Sequence, residues 1–206
     1  MKKILLFGLI GLAGVLSAFV PKQVSVPVRG VPVETTKWVA DKMHTQVKFT
    51  VTHLLISDVD GTFNSFDGSM ETSKADFSDA KIIFTADVNS VSTDNEKRDA
   101  DLKSDNFFNA AKFPQIKFES SSFTPLGNNK YTLIGNLTIR DVTKVVTFDV
   151  TYGGTANMYG VHAGFKAKAK IDRFDYNLKW NAMTEAGGAV VGKEVEITIN
   201  ADFKKV

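Results

Sequence analysis

The chain has 206 residues, 43% of them hydrophobic and 23% charged, with no cysteine and a formal net charge of +2. That length suits one domain, and 25 basic against 23 acidic residues leave no surplus for gripping a polyanionic backbone, which sets nucleic acid aside as a partner. Without cysteine, disulfide frameworks, thiolate zinc sites, iron–sulfur clusters and cysteine nucleophiles are excluded.

The first element in chain order is a leader. Lys2 and Lys3 precede an apolar run over residues 4–16, and the small Ser17 and Ala18 follow, the arrangement of a secretory signal over residues 1–18. The alternative is a retained membrane anchor, but the run over residues 4–20 only just approaches the roughly 20 apolar residues of a spanning helix. The expectation is an exported protein, periplasmic or secreted, formally neutral once the two leader lysines are removed. Residues 19–36 hold Pro21, Pro27 and Pro32 in a valine-rich stretch that reads as an extended linker. Residues 37–206 show no second break and read as one domain.

Period-2 alternation dominates that domain. Val47, Phe49, Val51 and His53 share one face while Lys48, Thr50 and Thr52 share the other, the pattern of a half-buried strand. The alternation recurs through Ala80, Ile82, Phe84, Ala86 and Val88, through Ile116 and Phe118, and through Tyr131, Leu133, Gly135, Leu137 and Ile139. It returns over residues 146–152, 163–171 and 195–203. Turn signals lie at Asp60-Gly61, Gly127-Asn128-Asn129, Gly153-Gly154 and Gly187-Gly188. With weaker strands around Trp38 and over residues 56–66, eight or more strands in hairpin succession predict an all-β antiparallel sandwich or barrel with one apolar face.

One segment breaks the pattern. Thr93 followed by Glu96 forms a capping box that opens a helix running to Lys103. Ser104 or Asp105 can cap a second short turn carrying Phe107 and Phe108, and Phe113-Pro114 returns the chain to a strand. Two adjacent phenylalanines on a polar excursion either seal an open end of the sheet core as a lid or touch a ligand at its mouth.

Enzymatic patterns find little support. No Gly-x-Ser-x-Gly elbow is present, and His44, His53 and His162 have no motif context. His44 follows Asp41 at a tight-turn spacing and reads as a hydrogen-bonded turn residue, and His53 ends an inward row. Histidine ligands would have to converge from distant strands, and the spacing suggests no metal site. Asp58-Val59-Asp60-Gly61 lacks the remaining calcium-loop positions and reads as a hairpin turn. The expectation is therefore no enzyme, no cofactor and no metal.

The run from Arg98-Asp99-Ala100-Asp101-Leu102 through Asn106-Phe107-Phe108, closed by Phe113-Pro114-Gln115-Ile116-Lys117-Phe118, resembles the signature of the YceI-like family of secreted bacterial lipid-binding proteins. Matching pieces lie upstream in Asp41, His44 and Val47-Lys48-Phe49-Thr50-Val51-Thr52-His53-Leu54, and downstream in Gly135-Asn136-Leu137-Thr138-Ile139-Arg140, Gly164-Phe165 and Ile171-Asp172-Arg173-Phe174-Asp175-Tyr176. Asp141 departs from the glycine that the family often has after the Leu-Thr-Ile-Arg stretch. The resemblance implies an extended, lipocalin-like antiparallel β-barrel with a short helical insertion. Its interior would be an apolar tunnel for a polyisoprenoid, quinone-like or fatty lipid, carried or stored in the periplasm, with transient membrane contact for exchange.

The inward rows supply the lining expected of such a tunnel: Phe49, Val51, Phe84, Phe107, Phe108, Phe118, Leu133, Phe148, Val150, Phe165, Ala167, Ile171, Ile197 and Ile199. Ala163, Ala167, Ala169 and Gly135 carry almost no side chain, and close packing requires that volume to be filled by neighbours or by a ligand. The phenylalanines can interdigitate with them, which leaves a filled barrel acting as a stress-associated or interaction module as the alternative. Arg98, Asp99, Asp172 and Arg173 are the mouth candidates, either touching a headgroup or ion-paired to fix the helix to the barrel.

Overall fold

The computed structural model describes residues 34–183 and 187–206, so the expected leader and most of the linker lie outside the described residues. Eleven strands follow in chain order: β1 (Thr36–Ala40), β2 (Gln46–His53), β3 (Ser57–Phe63), β4 (Phe66–Thr72), β5 (Lys81–Asp87), β6 (Val91–Ser92), β7 (Gln115–Gly127), β8 (Lys130–Ile139), β9 (Val142–Asn157), β10 (Val161–Asp172) and β11 (Val191–Lys205). A single α-helix, α1 (Glu96–Lys103), lies between β6 and β7 among the described residues.

All of the pairings are antiparallel, and the ring β1-β4-β5-β7-β8-β9-β10-β11 closes where β1 pairs with β11. The first three staves of this barrel are broken strands. β2 continues the line of β1 along β11, with Ala40 opposite Phe203 and Gln46 opposite Asn200. β3 and β4 then run back against β2 and β1, and β5 with β6 runs against β4 and β3. The result is an eight-stave meander in which each stave pairs with the next in sequence. Eight strands leave an interior just wide enough for side chains or one small ligand.

Alternation sets which residues enter that interior. On β8, Tyr131, Leu133, Gly135, Leu137 and Ile139 are buried, while Thr132, Ile134 and Thr138 between them are half-buried and Asn136 is exposed. Two expected turns are instead the interiors of strands. Asp60-Gly61 lies within β3, and Gly61 faces the Phe49 ring, whose Cζ sits 2.1 Å from where a Cβ would be. Gly153-Gly154 lies within β9, where Gly154 at φ +114° sits beside the register shift at Gly164/Phe165. The turn before β3 is made by Leu54 and Leu55 at φ 52° and 64°, closed by Ile56 N–H donating to His53 O at 3.2 Å.

The capping box is also corrected. Asn95 caps α1, its Oδ1 accepting from Arg98 N–H at 3.0 Å, because Thr93 is already engaged by the helix's own side chains. Ser104 does hold a short turn, its carbonyl accepting from Phe107 N–H at 3.2 Å.

The two ends of the barrel are closed differently. At one end the loop between β4 and β5 folds inward and Phe77 packs on Trp38, Tyr152 and Phe165 with ring centroids 5.3–5.6 Å apart. Asp79 ties that loop together, accepting from the Thr72 and Ser73 hydroxyls and from the Ser73 and Lys74 N–H groups, which holds its carboxyl well below the usual range. At the other end lie α1, the turns after it and the 3-10 turn Arg173–Tyr176.

Candidate binding cavity

Two cavities that share wall residues lie inside the barrel, and a third shares residues with the larger of them beside α1. The main one, of about 140 Å³, is walled almost entirely by hydrocarbon. A smaller one of about 50 Å³ lies toward the end filled by Phe77, and Phe84, Phe118, Phe148 and Ile199 wall both. The third, of about 190 Å³, shares Phe49, Val51, Leu102, Phe107 and Val191 with the main cavity and adds His53, Thr93, Arg98 and Asp101. Polarity therefore rises along the barrel axis from an apolar interior to a mixed mouth.

Every residue expected to line a tunnel faces this interior. Phe49, Val51, Phe84, Phe107, Phe108, Phe118, Phe148, Ile171, Ile197 and Ile199 wall the main cavity, and Leu133, Val150, Phe165 and Ala167 wall the smaller one. Phe107 and Phe108 are both buried in the mouth segment, and both line the cavity. Further lining residues come from places without a readable period, among them Leu102 on α1, Leu178 after the 3-10 turn and Val191 at the start of β11.

Part of the interior volume is taken by phenylalanine. Added Cβ atoms would lie 2.1 Å from the Phe49 ring at Gly61, 2.5 Å from the Phe84 ring at Gly68 and 2.4 Å from the Phe118 ring at Gly135. Three glycines facing three rings give the rings a place to lie flat against the wall.

The mouth candidates are placed by hydrogen bonds, and not as ion pairs with each other. Arg98 donates to Thr93 Oγ1 at 2.7 Å and to Thr93 O at 2.8 Å, while Asp99 accepts from Thr93 N–H at 2.8 Å and from its hydroxyl at 2.6 Å. Asp172 caps the 3-10 turn by accepting from Phe174 N–H at 3.0 Å and faces Lys193 at 3.5 Å. Arg173, 3% exposed, donates to the carbonyls of Leu178, Trp180, Val191 and Gly192 and stands 4.4 Å from the centroid of the Phe174 ring. Burial lowers its pKa from the usual arginine value, with Asp172 acting in the opposite direction.

Arg140, which served only as part of a motif in the sequence, holds this end together. Its Nη1 donates to Phe107 O at 2.9 Å and to Asn177 O at 3.0 Å, joining the segment after α1 to the segment after β10. Asp141, in the place of the family's frequent glycine, needs no left-handed backbone, since Arg140 at φ 55° takes that role in the β8–β9 turn. Nearby, burial pushes the Tyr176 hydroxyl up to about 12.

A closed antiparallel barrel around a hydrocarbon-walled hollow, with its polar groups gathered at one end, places the chain in the lipocalin-like class. The chain belongs to the YceI-like family, whose domain model matches residues 38–203. UPF0312 protein SA2479 of Staphylococcus aureus (strain N315) is 36% identical over 171 residues, covering 82% of this chain and 97% of that protein. The YceI protein of Campylobacter jejuni is similar in structure at a TM-score of 0.63 and 27% identity, covering 75% of this chain and 89% of that one. Burkholderia cenocepacia BcnA shares the fold at a TM-score of 0.70 and 23% identity, covering 79% of this chain and 98% of that one. So does a polyisoprenoid binding domain from Saccharophagus degradans implicated in plant cell wall breakdown, at a TM-score of 0.59 and 16% identity, covering 82% and 98%.

Proposed function

We propose that the barrel binds the hydrocarbon chain of an amphiphilic lipid, a polyisoprenoid or a fatty-acid-like molecule, and carries or stores it in the periplasm. The observation that carries this reading is the series of cavities with shared walls inside the barrel, apolar within and mixed only at the mouth. The polyisoprenoid binding domain that shares the fold supports the same ligand class. Burying a methylene yields about 0.8 kcal/mol, so a dozen buried carbons contribute about 10 kcal/mol before the entropy of binding is subtracted. Affinity then needs no polar anchor, and the mouth groups serve orientation.

Binding, not catalysis, suits the site. The walls of the two inner cavities contain no carboxylate and no imidazole to act as nucleophile, acid or base. Each cavity alone is smaller than the roughly 300 Å³ at which drug-sized sites begin. A long chain therefore threads all three, or turns Phe49, Phe84 and Phe118 away from their glycines. The same rings favour the second reading, a filled barrel that serves as an interaction module.

Native mass spectrometry of the purified protein, followed by organic extraction, separates the two. A co-purifying lipid, or uptake of geranylgeraniol or oleic acid by stripped protein, is the expected result. A lipid-free protein that takes up neither probe would leave only the filled module.

A further inference from the structure

Three side chains of metal-ligand type meet where the barrel closes, with a fourth, His44, beside one of them, and none of the four lines the cavities described above. Asp41 and His44 sit in the turn between β1 and β2, His162 in β10 and Asp202 in β11. One oxygen each from Asp41 and Asp202 and a ring nitrogen of His162 all lie within 4.8 Å of one another. His162 Nδ1 is 2.7 Å from Asp202 Oδ1, and His44 Nδ1 is 3.0 Å from Asp41 Oδ2.

The backbone forces the two carboxylates together. Asp41 N–H donates to Asp202 O at 2.8 Å, the Thr45 hydroxyl donates to the same carbonyl at 3.3 Å, and Thr45 Oγ1 accepts from Asp202 N–H at 3.0 Å. Thr45 is buried, so this zipper fixes the positions of both aspartates relative to β10. Like charges held this close oppose each other. Among the described residues, neither aspartate forms an ion pair with a lysine or arginine, and their charge partners are the two imidazoles. Two carboxylates therefore face one small volume from two separate elements, the β1–β2 turn and β11, with the His162 ring from β10 beside them.

We propose that Asp41, His162 and Asp202, with His44 as fourth donor, bind one divalent transition-metal ion of the zinc class. Two imidazole nitrogens with two carboxylate oxygens suit zinc, cobalt or copper better than calcium or magnesium, which take oxygen ligands. A tetrahedral ion with bonds of about 2.0 Å sets its ligand atoms about 3.3 Å apart, so rotation of the side chains closes the present spread. The ion displaces the proton that each imidazole shares with its carboxylate. It joins the β1–β2 turn to β10 and β11 across the seam between the first stave and the last, a cross-link in a chain that has no cysteine.

The test uses untagged protein stripped with a chelator, titrated with zinc by calorimetry and with cobalt(II) by ligand-field absorption. One ion per chain, a tetrahedral cobalt spectrum and a melting temperature that rises with zinc are expected. His162→Gln and Asp202→Asn keep the shape and hydrogen-bonding capacity of the seam and weaken zinc binding by at least about tenfold. Lys168→Gln, an exposed change on the same strand, leaves it intact. Should the seam variants fail to fold, His44→Gln in the exposed turn still alters the cobalt spectrum. Absence of stoichiometric zinc binding, or equal affinity in folded His162→Gln and Asp202→Asn, overturns the proposal.

Discussion

The two ends of the barrel are closed by different physics. One is plugged by rings: Phe77, Tyr152 and Phe165 pack together, Phe165 reaches Phe123 and Phe203, and Phe123 stacks on Tyr131 at 4.6 Å. The other is closed by side-chain donors on backbone carbonyls, Arg140 and Arg173 gripping the segments around Phe107, Asn177 and Leu178. Apolar packing is lost outright when it opens, whereas carbonyls and guanidinium groups regain hydrogen bonds from water. α1 itself buries no residue fully. α1 is thus the part of the mouth able to move without dismantling the core, to which Phe108 and Leu178 of the same end belong, and the plugged end sets how deep a chain can reach.

The largest contrast should come from truncating one ring at each end. Phe165→Ala removes a ring shared by four aromatic neighbours and should cost about 3–5 kcal/mol in urea unfolding. Phe107→Ala, packed on Trp180 but facing the cavity on its other side, should cost less and change lipid exchange instead. Hydrogen exchange offers a second view: amides of α1 and residues 104–114 should exchange before those of β7 to β10. Equal protection at the two ends would remove the distinction.

The later staves were legible because each alternates without interruption, and alternation alone decides which side chains turn inward. β3 was obscured because its inward glycine looks like a turn, when it is the place where the Phe49 ring lies. The real turn was hidden in Leu54-Leu55, at positive φ where asparagine and glycine are the usual signal. Thr93 and Asn95 are both capping types, and only tertiary contact shows that Asp99 and Arg98 occupy the first. The cavity walls could be read from the strands, but Leu178 and Val191 come from stretches with no period. The cluster of Asp41, His162 and Asp202 exists only once the first stave meets the last, so no local spacing could announce it.

A smaller effect should come from filling the inner cavity. Ala167 walls the smaller hollow beside Phe148 and Phe165. Ala167→Trp should overpack that layer at about 2 kcal/mol and shorten the longest chain the barrel accepts, with short chains still bound at the mouth side. Competition between fatty acids of increasing length reads this directly. Unchanged preference for long chains would mean that the ligand does not reach past Phe84 and Phe118.

The smallest effect concerns pH, and it falls on the plugged end. The Asp79 carboxyl is held below its ordinary range chiefly by the Ser73 and Thr72 hydroxyls, so its stabilisation requires the charged form. With a folded pKa depressed below the unfolded value of about 3.9, that contribution is complete above the unfolded value and is lost as pH falls through the folded one. At neutral pH Asp79→Asn should cost about 1 kcal/mol, the low end for hydrogen bonds to a partly exposed charge. The gap between wild type and variant should begin to narrow as the solution is acidified below about pH 4, where the unfolded chain takes up the proton, and close only as pH falls through the lower folded value. Acid thus loosens the loop under Phe77, at the plugged end. Unfolding midpoints of the two proteins measured from pH 7 downward test this. A gap that stays constant with pH would assign the Asp79 contribution to the shape of the loop, with its charge playing no part.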